Sequence, residues 1–262
     1  MVSAPPCHGG GRGFKSRRGR IASHPGISHP LLIAVAHGTV DPAGIDEITR
    51  LLALVRSQRP ALGVRLCWLD RAEPSLADTL ASVNGPAVIV PILLSTGYHV
   101  RTDIPAIIAG REATILTAPL GPDPRLAHVV YERLYQARER GGIGSAASRR
   151  SVLIAAGSSD PAARGELATV ARQLAALTTS SVAIGQLTDP DPLAAAEPGD
   201  DVANYLLAPG YFNDVLHGLA VERGAVIGDP IGAHPLVAEV ILDRFDSAVT
   251  ALGLSSPDPR KP

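Results

Sequence analysis

The chain has 262 residues, of which 45% are hydrophobic and 19% are charged, and its formal net charge is -1. This length suits one large domain or two ordinary ones, and it can bury a substantial core without disulfides. The balanced charge and an aromatic content of 3% argue against a nucleic-acid-binding protein, and no apolar stretch approaches the roughly 18 residues that span a bilayer. We therefore expect neither a nucleic acid nor a membrane as a partner.

Residues 1–29 are rich in glycine, proline and arginine and cannot bury enough apolar surface to order themselves, so we predict a disordered tail. No apolar segment follows Arg17 and Arg18, so an export signal is not expected. Cys7 and Cys67 lie in unlike contexts, one in this tail and one in an apolar strand, which favours neither a disulfide framework nor a thiolate zinc site. We expect a cytoplasmic protein.

Between residues 30 and 140, strand patterns alternate with helix patterns. Continuous apolar runs predict strands that are buried on both faces, whereas apolar residues spaced three and four apart predict amphipathic helices. The predicted strands are 31–36, 64–70, 87–94 and 113–117, and the predicted helices are one containing Ile45 to Val55, 75–83, 103–110 and 124–140. This order indicates a βα domain with a parallel sheet.

Three of these strands end in a side chain that could bind a metal ion. His37 follows the first strand, Asp70 ends the second, and His99 lies just past the third in a glycine-containing loop. Singly, such a histidine is more often a loop residue and such an aspartate a helix cap. Because the carboxyl ends of parallel strands meet at one edge of a sheet, their joint occurrence favours a site for a borderline divalent metal.

The same order of elements occurs a second time. Residues 141–150 are small and without periodicity, which predicts a linker, and residues 151–254 repeat the first half. We interpret them as a degenerate copy, followed by a second disordered tail at 255–262. The fold class expected is thus α/β, with two similar Rossmann-like domains that have parallel sheets.

The second half lacks all three proposed ligands. In their places it has Ala156, Thr188 or a neighbour, and Phe212. A structural role would be needed in both copies, since both must fold in the same way, whereas chemistry is needed only once. This comparison within one sequence favours a functional role for the three ligands.

Three segments, Ala36–Thr39, Trp68–Leu76 and Leu94–Pro105, resemble the class II chelatases of tetrapyrrole biosynthesis, which are the sirohydrochlorin ferrochelatases and the anaerobic cobaltochelatases. With the two-domain layout, the resemblance covers residues 31–252. It implies two α/β domains that face each other across a cleft for the macrocycle, and an enzyme that inserts a metal into sirohydrochlorin.

The resemblance also implies roles for the candidate ligands. His37 and His99 would bind the incoming metal and take part in proton removal. The family usually has a glutamate where this chain has Asp70, so the carboxylate is kept but its reach is shorter by one methylene. Fe²⁺ or Co²⁺ would be a substrate, with no cofactor permanently bound. Because one chain supplies both lobes, we expect a monomer.

Sirohydrochlorin carries many carboxylates, so its site should offer cations and hydrogen-bond donors. The candidates are Arg101, Arg71 and Tyr98 in the first half, and Ser158 and Ser159 in the second, where a helix begins and its N–H groups are free to bind an anion. For either arginine, the ordinary alternative is a solvated surface charge.

Other polar residues receive a structural interpretation. Glu73 is expected to form a turn before a proline, and Asp103 is expected to cap the helix that follows it. His128, His217 and His234 lie near helix starts or within a helix, and we predict structural roles for all three.

Three alternatives are weaker. A histidine phosphatase would have an arginine before the nucleophilic histidine, where this chain has Ala36, and a nucleotide-binding Rossmann module would have a glycine fingerprint after the first strand. A non-catalytic carrier of divalent metal could use the same ligands, but it would not need a large cleft lined by a second lobe.

Overall fold

The structure, a computed structural model, describes residues 30–143 and 149–251. The predicted tails, and the middle of the predicted linker, lie outside these ranges. The strands are β1 (Leu31–Ala36), β2 (Val64–Trp68), β3 (Ala87–Ile92), β4 (Thr114–Leu116), β5 (Ser151–Ala155), β6 (Val182–Gln186) and β7 (Asp201–Tyr205). The helices are α1 (Pro42–Gln58), α2 (Leu76–Ala81), α3 (Ile104–Ile108), α4 (Pro124–Arg140), α5 (Pro161–Thr178), α6 (Tyr211–Glu222) and α7 (Pro235–Ala251), and a π-helical turn occupies His99–Asp103.

The first sheet is parallel and has the strand order β2-β1-β3-β4. Its central strands pair over their full length, from Leu31 opposite Ala87 to Ala36 opposite Ile92. Every residue of β3 is buried, as a continuous apolar run predicts for a strand covered on both faces. Because β1 and β3 are neighbours, the loops that follow them lie side by side at the same edge of the sheet.

The second sheet repeats this arrangement with the order β6-β5-β7, again all parallel. A short parallel bridge between Val202 and Ile227 extends it on the side where β4 extends the first sheet. The predicted α/β class with two similar parallel sheets is therefore confirmed.

The two sheets share one core. One face of each sheet packs on a central layer formed by α1, α4, α5 and α7. The other face of the first sheet is covered by α2 and α3, and the other face of the second sheet by α6. None of the helices in the described ranges is long and apolar enough to cross a membrane.

The last helix of each half packs on the sheet of the other half. Helix α7 contacts α1, β3 and α4, and α4 also contacts β7 and α5. Arg59, which caps the end of α1, binds Asp246 of α7 through two hydrogen bonds of 2.7 Å. Arg138 of α4 donates to the fully buried carboxylate of Asp201 on β7 at 2.6 Å. The division of the chain into domains at 30–140 and 151–254 stays a prediction. In three dimensions the lobes exchange their final helices: α4 packs on the second sheet and α7 on the first.

Candidate metal centre between the lobes

Two histidines meet at the carboxyl edge of the first sheet. His37 directly follows β1, and His99 opens the π-helical turn after β3. Their Nε2 atoms are 3.2 Å apart, and the rings are nearly perpendicular, with an interplanar angle of 86°. The His37 ring makes no other hydrogen bond to a described residue. The sequence predicted this convergence from two neighbouring strand ends, and the structure brings these two side chains together.

The spacing of the two Nε2 atoms suits a shared metal ion. Imidazole nitrogen binds a divalent transition metal at roughly 2.0–2.1 Å, so two nitrogens 3.2 Å apart would subtend an angle of about 100° at the ion. Two ligands leave several coordination positions open. Among the described residues, no group of three His, Cys, Asp or Glu side chains is arranged to hold a metal ion.

His99 has a carboxylate partner, Asp103, which the sequence led us to expect as a helix cap. Its Nδ1 lies 2.6 Å from Oδ2 of Asp103. The expected cap is wrong: Asp103 lies inside the π-helical turn, its side chain makes no capping hydrogen bond, and α3 begins at Ile104. The spacing of four residues between the two side chains was the signal that could have revealed the pair, because residues at i and i+4 share a helix face.

Asp70 lies close to the histidines through its backbone and not through its carboxylate. Its N–H donates to the His37 carbonyl at 3.0 Å. Its carboxylate accepts the Arg71 N–H at 2.8 Å and lies 3.4 Å from Nε of that arginine, which itself adopts a left-handed φ of 60°. A role for Asp70 as a third ligand stays a prediction, and it requires the carboxylate to leave Arg71. Glu73 accepts the Ser75 N–H at 2.9 Å, as expected of a turn residue.

The loops that carry the histidines both touch the second lobe. Thr96, before His99, donates its N–H to Glu166 of α5 at 2.7 Å. Arg101 lies 3.2 Å from Asp160, which caps α5. After His37, Thr39 approaches Gly210, because a Cβ built on that glycine would lie 3.8 Å from the threonine hydroxyl. The histidine pair is therefore placed beside the junction of the lobes.

One of the predicted donors at the start of α5, the N–H of Ser158, is already occupied. The N–H of Ser158 donates to Gln186 at 3.1 Å, and its hydroxyl accepts the Asp160 N–H at the same distance. The expectation of a free N–H at Ser158 is thus wrong, because β6 supplies a side-chain acceptor. Ser159 is exposed, and its role in binding substrate stays a prediction. The guanidinium of Arg101 remains half-exposed beside Asp160.

Four large apolar side chains are exposed in the segments that follow β1, β3 and β7. Val40, Tyr98 and Tyr211 are 74%, 68% and 76% exposed, and Phe212 is 48% exposed. The rings of Tyr211 and Phe212 contact each other with centroids 5.6 Å apart. These four residues follow β1, β3 and β7, two on each lobe, and we call them the apolar rim.

The other described histidines, which are His128, His217 and His234, and the buried cysteine make no hydrogen bond or ring contact with His37 or His99. His128 and His234 both contact Glu132, at 3.3 and 3.0 Å, and His234 accepts the Leu236 N–H at the start of α7. His217 is exposed on α6. Burial raises the pKa of the Cys67 thiol to about 12, although a hydrogen bond with Thr79 opposes the shift, so this thiol is protonated and unsuited to bind metal.

Comparison with known proteins places these residues in a family. The CbiX family model matches residues 31–137. A sirohydrochlorin cobaltochelatase of Methanosarcina acetivorans is 25% identical over 123 residues, which are 40% of this chain and 95% of that protein. A sirohydrochlorin cobaltochelatase of Saccharolobus solfataricus is 31% identical over 87 residues, which are 27% of this chain and 68% of that protein. This chain belongs to the CbiX family.

The fold of this CbiX-family protein is also that of a two-lobed relative of known structure. The cobalt complex of the sirohydrochlorin chelatase SirB from Bacillus subtilis subspecies spizizenii superposes with a TM-score of 0.70 at 20% sequence identity, covering 85% of this chain and 96% of the other. At this identity the likeness concerns the fold. The resemblance to class II chelatases that the sequence motifs indicated is confirmed, whereas the assignment of individual site residues stays a prediction.

Proposed function

We propose that this CbiX-family protein inserts Co²⁺ or Fe²⁺ into sirohydrochlorin, with the metal delivered by His37 and His99. The observation that carries the proposal is the 3.2 Å separation of the two Nε2 atoms at the junction of the lobes. The names of the relatives in Methanosarcina acetivorans and Saccharolobus solfataricus support the same reaction.

Metal insertion requires that the ion be partly stripped of water and then released to the four nitrogens of the macrocycle. Two neutral imidazoles hold a borderline divalent ion but leave positions open for the incoming nitrogens. A complete cage of four protein ligands would retain the ion, and the described residues provide none. Both Co²⁺ and Fe²⁺ accept such nitrogen ligands, so either ion fits this pair.

The reaction also releases two protons from the pyrrole nitrogens for each metal ion inserted. A neutral imidazole beside the macrocycle can accept such a proton, because histidine titrates near neutral pH. His37 is exposed and the side chain of His99 is 35% exposed, so each ring can pass a proton on to water. The same two residues would therefore serve in metal delivery and in proton removal.

The macrocycle would lie on the apolar rim. Tyr98 belongs to the first lobe, and Tyr211 and Phe212 belong to the second, so a flat ring between the lobes could contact aromatic side chains on both sides. The carboxylates of sirohydrochlorin would project towards cationic groups such as Arg101 and Arg71. We further expect a cytoplasmic monomer, since one chain supplies both lobes.

A carrier of divalent metal that lacks chelatase activity remains the alternative. It would use His37 and His99 in the same way, but it gives no reason for exposed aromatic residues on the second lobe. Binding of the free tetrapyrrole separates the two functions, because only a chelatase should bind the macrocycle in the absence of metal.

The decisive experiment is an anaerobic assay of the purified protein with sirohydrochlorin and either Co²⁺ or Fe²⁺, followed by absorption spectroscopy. We expect conversion of the free-base spectrum to that of the metal complex, at a rate well above that of a reaction without protein. Tight metal binding with no acceleration and no binding of sirohydrochlorin would instead support the carrier.

A further inference from the structure

The imidazole rings of His99 and His37 differ in their hydrogen-bond partners. Oδ2 of Asp103 lies 2.6 Å from Nδ1 of His99, whereas the His37 ring has no hydrogen bond to a described residue except the one to His99. An ionised carboxylate only accepts hydrogen bonds, so the proton of a neutral His99 must lie on Nδ1. The Nε2 lone pair of His99 is then directed at His37.

We propose that Asp103 is a positioning residue that fixes His99 in the Nδ1–H tautomer and so keeps its Nε2 ready to bind the substrate metal. This inference rests on the proposed function, and it assigns to Asp103 a role different from the helix cap expected from the sequence. A carboxylate behind a metal-binding histidine also orients the ring and makes the ligating nitrogen more basic.

The local backbone is shaped for this contact. Residues 99–103 form a π-helical turn in which Ile104 donates its N–H to the His99 carbonyl. Single π-helical turns are frequently found at functional sites. Because the Asp103 carboxylate makes no capping hydrogen bond, it is free to accept from the imidazole.

The second lobe provides an internal comparison. Gly210-Tyr211-Phe212 repeats the order Gly97-Tyr98-His99, and continuing this register sets Leu216 where the first lobe has Asp103. Leu216 is fully buried in the outer core of the second lobe, and α6 begins as a regular α-helix at Tyr211. Histidine, aspartate and π-helical turn are thus all missing together from the copy that lacks the metal ligands, as expected if they act as a unit.

The experiment compares Asp103→Leu, which introduces the residue of the second lobe, with Asp103→Asn and wild type. The tautomer of His99 is read from its side-chain ¹⁵N chemical shifts in the metal-free full-length protein, with His99→Gln used to assign the signals. Wild type should show the Nδ1–H tautomer. Asp103→Asn should keep it, because the amide oxygen can still accept, whereas Asp103→Leu should shift His99 towards the Nε2–H tautomer.

Binding of Co²⁺ alone, followed by its visible absorption, gives the second readout. We expect Asp103→Leu to weaken Co²⁺ binding about 10- to 100-fold, as loss of such a partner does in other metal sites, and Asp103→Asn to weaken it less. Glu112→Gln is the matched control, because Glu112 is an exposed acid before β4, at the opposite edge of the sheet. It should change neither the tautomer nor the affinity.

An Nε2–H tautomer of His99 in wild type, or an unchanged tautomer and Co²⁺ affinity in Asp103→Leu, would overturn the role of Asp103. These readouts do not use the tetrapyrrole. If wild type fails to insert metal but shows the expected tautomer series, the chelatase proposal fails while the positioning role stands.

Discussion

At the residue scale, the proposed metal delivery depends on the imidazoles of His37 and His99. His37 and His99 are partly exposed, and neither belongs to a described hydrophobic cluster. We therefore expect His37→Ala and His99→Ala each to reduce metal insertion to the rate without protein while leaving the circular dichroism spectrum and the unfolding midpoint unchanged. A variant that inserts metal at the normal rate would remove that histidine from the mechanism.

The control for these variants lies in the second lobe. Phe212 occupies the position that corresponds to His99, and it is 48% exposed on the rim. Phe212→Ala removes apolar surface that we expect to contact the macrocycle, so it should raise the KM for sirohydrochlorin and leave Co²⁺ binding unchanged. Loss of Co²⁺ binding in Phe212→Ala would contradict the proposal that His99 binds the metal whereas Phe212 does not.

Gly38 is the residue that fixes the position of the Asp70 loop. It has a φ of 109°, and a Cβ added to it would lie 1.6 Å from the Asp70 carbonyl oxygen. We expect Gly38→Ala to lower the free energy of unfolding by about 3 kcal/mol, from backbone strain and steric overlap together. Gly97→Ala is the control, because no atom lies within 4 Å of its added Cβ. Urea unfolding measures both, and equal effects would contradict the proposed constraint.

At the scale of elements, the strand order could be predicted, and the turn after β3 could not. Apolar runs followed by His37 and His99 indicated two neighbouring strands with ligands at one edge, and both strands are as buried as predicted. The Asp-Ile-Pro sequence at 103–105 is equally typical of a helix cap. A π-helical turn differs from an α-helical start by one hydrogen-bond partner, and the residue types at 99–103 do not specify which of the two forms.

The start of α5 makes a prediction about substrate binding. Asp160 caps this helix and also faces Arg101 across the lobe junction. If Arg101 binds a substrate carboxylate, Arg101→Ala should raise the KM for sirohydrochlorin about tenfold, which corresponds to one charge-assisted hydrogen bond. Asp160→Asn keeps the cap but frees Arg101 from a competing carboxylate, so its KM should be equal to or lower than that of wild type. Steady-state kinetics decides, and an equal rise of KM in both variants would show that the pair serves lobe contact instead.

At the scale of the whole molecule, the exchange of α4 and α7 was beyond sequence reasoning. The apolar face of each helix predicts that it packs on a sheet, and the repeat indicates two sheets, but the pattern does not specify which sheet receives which helix. Polar contacts reveal the choice: Arg244 of α7 donates to the carbonyls of Pro119 and Leu120, which belong to the first lobe, at 3.0 and 3.1 Å. Because each lobe is completed by the other, we expect one cooperative unfolding transition.

Asp123 lies between α4 and α7, so the contribution of its carboxylate to this packing can be tested by measuring stability against pH. It caps α4, is bound by Arg125, and lies 3.9 Å from Arg244 of α7, while Arg125 also contacts Asp243 of α7 at 2.6 Å. Burial alone would raise the pKa of the Asp123 carboxyl, but the hydrogen bonds from Arg125 and the charges of Arg125 and Arg244 hold it below its ordinary value of 3.8. A carboxyl with a lowered pKa in the folded state stabilises the fold fully above the ordinary value, and this contribution is lost as the pH falls through the folded-state pKa.

We therefore expect Asp123→Asn to lower the free energy of unfolding at pH 7 by about 1–3 kcal/mol, because the asparagine can cap α4 but leaves Arg125 without its buried charge partner. Below about pH 4 the difference from wild type should shrink, since wild type then loses the same interaction. Urea unfolding at pH 7 and at several values below pH 4 measures both effects. Asp243→Asn is the control: its side chain is 61% exposed, so it should cost well under 1 kcal/mol. A difference between Asp123→Asn and wild type that stays constant down to pH 3 would show that the carboxylate charge does not stabilise the junction of α4 and α7.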